Sequence, residues 1–89
     1  MPAAMAHLFC ELFYRARVSG LTEGNTLSAP ISLVQLGETL GMSIATVNRT
    51  LQELRASRAV DFQKGELDVR NWHRLAELGQ FNPRYLHPL

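Results

Sequence analysis

The stretch SLVQLGETLGMSIATVNRTLQELR, from Ser32 to Arg55, decides how the rest of the chain is read. Ser32 followed three residues later by Gln35 has the form of a capping box, in which each residue satisfies the other's backbone N–H. A helix is therefore predicted to begin there and to carry Leu33, Leu36 and Leu40 on one side. Gly41 stops it by permitting a sharp turn. Ser43 is suited to cap a second helix over residues 43–56, whose Val47, Thr50, Leu51 and Leu54 fall on one stripe. Two short helices separated only by Gly41 and Met42 form a helix-turn-helix. Within it Gly37 is expected to be small because the second helix crosses close above it. Leu36, Leu40, Val47 and Leu51 would fill the wedge between the helices.

With successive residues about 100° apart, burying the Val47 stripe leaves Ala45, Asn48, Arg49 and Gln52 on the opposite face. In a helix-turn-helix that face would enter a DNA major groove. Arg49 has the donors for guanine O6 and N7, and Asn48 can pair with adenine N6 and N7. Gln52 shares the outward face, whereas Ile44 and Ala45 have no polar group and could touch only a thymine methyl. Ser32, Ser43, Thr46, Arg55, Arg58 and Lys64 are candidate phosphate contacts, which set register without reading sequence. From Ser43 to Gly65, Arg49, Arg55, Arg58 and Lys64 outweigh Glu53 and Asp61, a net charge of +2. The rest of the chain carries −1, so positive charge gathers where the groove-facing helix lies.

Outward from this core the elements are simpler. Met5, Leu8, Phe9, Leu12, Phe13 and Ala16 recur every three or four residues, predicting a leading helix within residues 1–20 that ends at Gly20. Glu11 and Arg15 form a favourable i,i+4 pair on its wet side. This helix packs under the helix-turn-helix or, in a second reading, leaves part of its apolar face as an interface. Thr22 to Asn25 is turn chemistry, and Thr26 to Ala29 a short strand that Pro30 ends. Val60 with Phe62, and Leu67 with Val69, alternate around Gln63-Lys64-Gly65, predicting a hairpin over 59–69 in which Gly65 takes a positive φ. Asn71 would cap a final helix over 71–79 presenting Trp72, Leu75 and Leu78, with Gly79 at its end. An irregular tail follows from Phe81. The expected fold is a single domain over residues 1–89, mainly α with a small β-hairpin sheet: a winged helix-turn-helix.

Composition bounds the function. Eighty-nine residues, 46% apolar and 19% charged with a net charge of +1, describe one small soluble domain. No run of 18 apolar residues exists, and the Met5 to Tyr14 segment is broken by His7 and Glu11, so neither a membrane span nor a secretion signal is read. A single Cys10 cannot form an internal disulfide, which fits a cytoplasmic setting. His7 and Cys10 are three apart on one helix, but two ligands do not make a metal site, and His73 and His87 have no ligand spacing to them. No nucleophile elbow, phosphate loop or zinc-protease pattern is present. An enzyme is not expected, nor a cofactor.

The Gln35-Leu36 to Leu40-Gly41-Met42-Ser43 segment, the Val47-Asn48-Arg49-Thr50-Leu51-Gln52-Glu53-Leu54-Arg55 run and the hairpin after it resemble the C-terminal winged-helix domain of Crp/Fnr transcription regulators. Trp72-His73-Arg74-Leu75-Ala76-Glu77-Leu78 and Phe81-Asn82-Pro83 are similar to a proteobacterial subgroup of that family. The resemblance implies sequence-specific binding of double-stranded DNA by a cytoplasmic homodimer, with RNA polymerase as a candidate protein partner. It also implies a preceding sensing β-roll and dimerisation helix that this chain does not contain, hence a piece of a longer regulator. Arg49 stands where the family places its principal base-reading arginine, and Asn48 at a variable reading position. Ala45 stands where many members carry glutamate, and Ile44 where some carry arginine. Arg58 stands where a helix-ending glycine is usual; a left-handed conformation there would cost about 1 kcal/mol. The alternative from another class is a winged-helix protein-interaction module.

Overall fold

The computed structural model describes residues 2–28 and 31–82. The expected strand end at Ala29 and Pro30 and the tail from Pro83 lie outside them. The elements run α1 (Ala3–Val18), β1 (Thr22–Glu23), β2 (Thr26–Ser28), α2 (Leu33–Leu40), α3 (Ile44–Ala56), β3 (Val60–Gln63), β4 (Glu66–Val69) and α4 (Trp72–Gly79). The strands pair antiparallel in the order β1-β2-β4-β3. This is the winged helix-turn-helix expected from the pattern, with its sheet corrected. Thr22 and Glu23, expected in a turn, form a strand paired with Thr26 and Leu27 across a turn at Gly24 and Asn25, so a four-stranded sheet replaces a lone hairpin beside a short strand.

Pairing register explains which residues the sheet buries. Leu27 lies opposite Leu67, and Leu67 opposite Phe62, so three apolar side chains cross the sheet in one row toward the core. Val60 and Val69 form the adjacent buried pair. Because side chains alternate along a strand, the other face carries Thr26, Asp68 and Asp61 in a matching row.

Against the buried face lie the inward stripes of the helices: Met5, Phe9 and Phe13 from α1, Leu36 from α2, Val47, Leu51 and Leu54 from α3, and Leu75 from α4. The leading helix packs chiefly on α4 rather than under the helix-turn-helix. Phe81, expected in an irregular tail, does follow α4 without regular structure, yet its ring is buried and meets Tyr14, Trp72 and His7. Each helix start that the sequence marks is capped as expected. Ser32 and Gln35 exchange both bonds of the capping box, at 3.0 and 2.9 Å, Ser43 Oγ accepts from Thr46 N, and Asn71 Oδ1 accepts from Arg74 N.

The helix ends share one geometry. After α1, α2, α3 and α4 a residue enters the left-handed region, namely Gly20, Gly41, Arg58 and Gln80. In each case the next amide reaches back five residues: Leu21 to Ala16, Met42 to Gly37, Ala59 to Leu54 and Phe81 to Ala76. This is the Schellman arrangement, and its outer residue is apolar every time. Gly79 therefore does not end α4 by its φ; Gln80 takes the left-handed position, at φ 51°. Glycine is needed at position 79 because a Cβ there would come within 2.5 Å of His7 N and 2.8 Å of Ala6 C. Gly37 is corrected in the same sense. Its Cβ would first strike the Met42 carbonyl of the turn at 2.6 Å, and only then Val47 of the crossing helix at 3.3 Å.

Arg58 at φ 62° carries the strain that a β-carbon meets in this region. Arg58→Gly is expected to raise stability by about 0.5–1 kcal/mol, the relief of strain being partly offset by the freer unfolded chain. Chemical denaturation measures it, and a loss of stability would mean that the arginine side chain contributes more than its backbone costs.

Cys10 lies wholly inside α1's buried face. Burial, with the neighbouring Glu11 carboxylate adding to it, pushes the thiol from its ordinary 9.0 to about 12. The native chain should resist iodoacetamide at pH 8 and react once unfolded. Between pH 9 and about 12 the unfolded state loses this proton while the native state keeps it, so stability should fall as pH rises through that window. Rapid labelling of the folded chain would contradict the buried placement.

Candidate nucleic-acid interface

Ser43 fixes where α3 begins, and the buried Val47, Thr50, Leu51 and Leu54 fix its rotation. Thr50 is a polar residue in that stripe, accommodated because its hydroxyl donates to the Thr46 carbonyl at 2.8 Å. The rotation leaves Ile44, Ala45, Asn48, Arg49 and Gln52 exposed, with half of the Ile44 surface open to solvent. Among the described residues, the side chains of Asn48, Arg49 and Gln52 make no hydrogen bond or ion pair. Thr46 is half-buried, and its hydroxyl accepts from Ser43 Oγ at 3.0 Å.

Beside this face lies a cleft of about 470 Å³ between α2, α3 and the β3–β4 hairpin. Its rim brings together Ser32 from the start of α2, Asn48, Gln52 and Arg55 from α3, and Gln63 and Lys64 from the hairpin, over a floor that includes Leu51 and Phe62. Lys64 stands at the tip in a two-residue turn where both it and Gly65 have positive φ, at 50° and 76°. A turn of that hand matches the twist of the strands, which is why the hairpin is tight enough to hold the lysine beside α3.

Ser43, Ile44, Ala45, Thr46 and Arg49 do not line this cleft; they lie at and just after the start of α3, all exposed except the half-buried Thr46. Arg58 is not brought to the cleft either. It lines a neighbouring concavity with Arg55, Asp61, Arg70 and Asn71. Arg55 borders both hollows and is engaged, its Nε donating to Asp61 Oδ1 at 2.9 Å. Among the described residues Arg49, Arg58 and Lys64 have no ion-pair partner, so they present uncompensated charge.

Sequence reasoning missed Gln63, Arg70 and the role of Asp61. In the sequence Gln63 reads only as part of a turn and Asp61 only as one charge among several. The available signal was strand alternation, which sets Asp61 and Gln63 on one face of β3, opposite Phe62. No group of three or more possible metal ligands occurs among the described residues. No helix there is long and apolar enough to cross a membrane.

Comparison with known proteins gives this surface a context. Residues 3–78 match the model of the Crp-like helix-turn-helix domain. No curated protein matches the chain. Among solved structures, oxidized CprK in complex with o-chlorophenolacetic acid is 28% identical with a TM-score of 0.66, over 93% of this chain and 37% of that one. Reduced CprK in the absence of any ligand is 27% identical with a TM-score of 0.62, over 82% and 36%. FixK2 from Bradyrhizobium japonicum is 28% identical with a TM-score of 0.63, over 84% and 37%. The chain thus spans little more than one third of the length of the proteins it matches.

Proposed function

This chain belongs to the Crp-like helix-turn-helix domain family, and from that premise we propose that it binds double-stranded DNA sequence-specifically as the output domain of a Crp/Fnr-type transcription regulator. The observation that carries the proposal is the exposed face of α3, where Asn48, Arg49 and Gln52 have their hydrogen-bonding groups uncommitted beside an uncompensated Lys64. Polar side chains free of internal partners on a rigidly packed helix are what reading base edges requires.

In this reading α3 enters the major groove. Arg49 pairs with guanine and Asn48 with adenine, while Ile44 and Ala45 meet thymine methyls and Gln52 reads the adjoining base. Ser32, Ser43, Thr46, Arg55 and Lys64 meet phosphates, and Arg58 reaches one beyond them. Paired copies would read half-sites about one helical turn apart. The chain acts by binding rather than by catalysis and needs no cofactor of its own. Sensing, pairing and contact with RNA polymerase would draw on the rest of a longer cytoplasmic regulator.

Fluorescence anisotropy on a random duplex at rising salt tests the class. The parent should bind in the micromolar range, with log affinity falling by about 0.9 per log unit of salt for every phosphate neutralised. Lys64→Ala should weaken all duplexes alike and lower that slope by about one. Absence of salt-sensitive binding at tens of micromolar would sink the DNA reading in favour of the protein-interaction module.

A further inference from the structure

In the register of β3 with β4, Asp61 stands directly opposite Asp68, and like charges so placed repel. Asp61 is the more deeply set, its side chain 16% exposed against 43% for Asp68. Three donors close on it: Arg55 Nε at 2.9 Å, Gln63 Nε2 at 3.2 Å and Arg70 Nη2 at 3.9 Å. Arg70 also reaches Asp68 at 3.6 Å, so it already bridges the two strand carboxylates. The shortest contact nevertheless comes from Arg55, in the last turn of α3. Arg55 borders the cleft shared with Ser32, Gln52 and Lys64, whereas Asp61 does not line that cleft and lies in the neighbouring hollow that Arg55 also borders. This bond is made by Nε, on the inner edge of the guanidinium.

We infer that Asp61 is a positioning residue: it holds Arg55 by Nε from behind, so that the terminal nitrogens stand ready in the cleft as a clamp for a DNA phosphate. The inference rests on the DNA-binding reading above. A guanidinium presents paired donors that match two phosphate oxygens. Ordering the long, half-exposed side chain before DNA arrives removes that cost from the binding step. The same carboxylate also brings negative charge toward a polyanion, so its net effect has a definite sign to be measured. Positioning makes Asp61 favourable for binding, and charge masking makes it unfavourable.

The test compares the full chain with Asp61→Ala, Asp61→Asn, Arg55→Gln and the Asp61→Ala/Arg55→Gln pair on one labelled duplex across a salt series. Asp61→Ala should bind about 3- to 10-fold more weakly, with a salt slope shallower by about 0.9, the share of one phosphate. Asp61→Asn keeps an oxygen that accepts from Arg55 Nε and should retain the parent's slope. The pair should match Arg55→Gln alone. A folding defect would lower the active fraction and leave the slope unchanged. Tighter binding by Asp61→Ala, an unchanged slope, or losses that add in the pair would overturn the inference. If the parent itself shows no salt-sensitive binding, the function falls and the inference with it. If the parent binds and Arg55→Gln does not change its slope, only the inference falls.

Discussion

Arg49→Ala is expected to lower affinity for the preferred duplex by about 1–3 kcal/mol, roughly 5- to 150-fold, and to relax the preference at one base pair. Arg49 is exposed, two residues beyond the buried Val47, on a helix whose rotation is set by its packed stripe. With no internal partner among the described residues to replace, its removal should leave the fold's stability unchanged. The loss should be confined to specific binding, because a random duplex engages the residue only as one charge among several. A preferred duplex can be selected from a random pool with paired copies of the chain, then titrated alongside random sequence. Equal losses on both would remove the base-reading role and leave Arg49 a phosphate contact.

Gly79→Ala should cost about 2–3 kcal/mol of stability and lower Tm by roughly 10–20 °C. The new Cβ would lie 2.5 Å from His7 N, 2.8 Å from Ala6 C and 2.8 Å from His7 Cα, all backbone atoms of α1 that no rotamer change can withdraw. Alanine's better helix propensity returns about 1 kcal/mol, too little to compensate. The two helices would have to separate, loosening the His7 Nδ1 contact with the Gly79 carbonyl at 2.9 Å and the ring of Phe81 against His7 and Tyr14. Calorimetry measures the shift, and an unchanged Tm would mean that α4 docks elsewhere. Because α3 packs on α2 and β3, affinity per folded molecule should survive the change.

These two positions mark the boundary of what sequence reading reached. The helix-turn-helix was readable because its signals are local: Ser32 finds Gln35 three residues away, and Ser43 caps the helix that follows it. The outward face of α3 followed from the same periodicity, since burying Val47 and Leu54 determines where Arg49 must point. Distant contacts left no such mark. Gly79 looks like a helix stop until α1 is laid against it, 72 residues away in the chain. Arg55 reads as a free cation until β3 brings Asp61 under it. The first hairpin leaves no sequence pattern because a two-residue strand has no period to display, and it is held by pairing with β4 some forty residues on. Lys64 and Gln80 adopt the left-handed region without being glycine, so composition could not announce them.

The unpartnered face of α3 has an evolutionary consequence. Packing that holds the helix lies on one side, and the groups offered outward lie on the other with no bond back into the described fold. Substitutions at Ile44, Ala45, Asn48, Arg49 or Gln52 would therefore be nearly neutral for folding and, under the proposed function, would change which operator is bound. A duplicated copy could drift to a new target without passing through an unfolded intermediate. The scaffold and the vocabulary written on it are free to diverge at different rates.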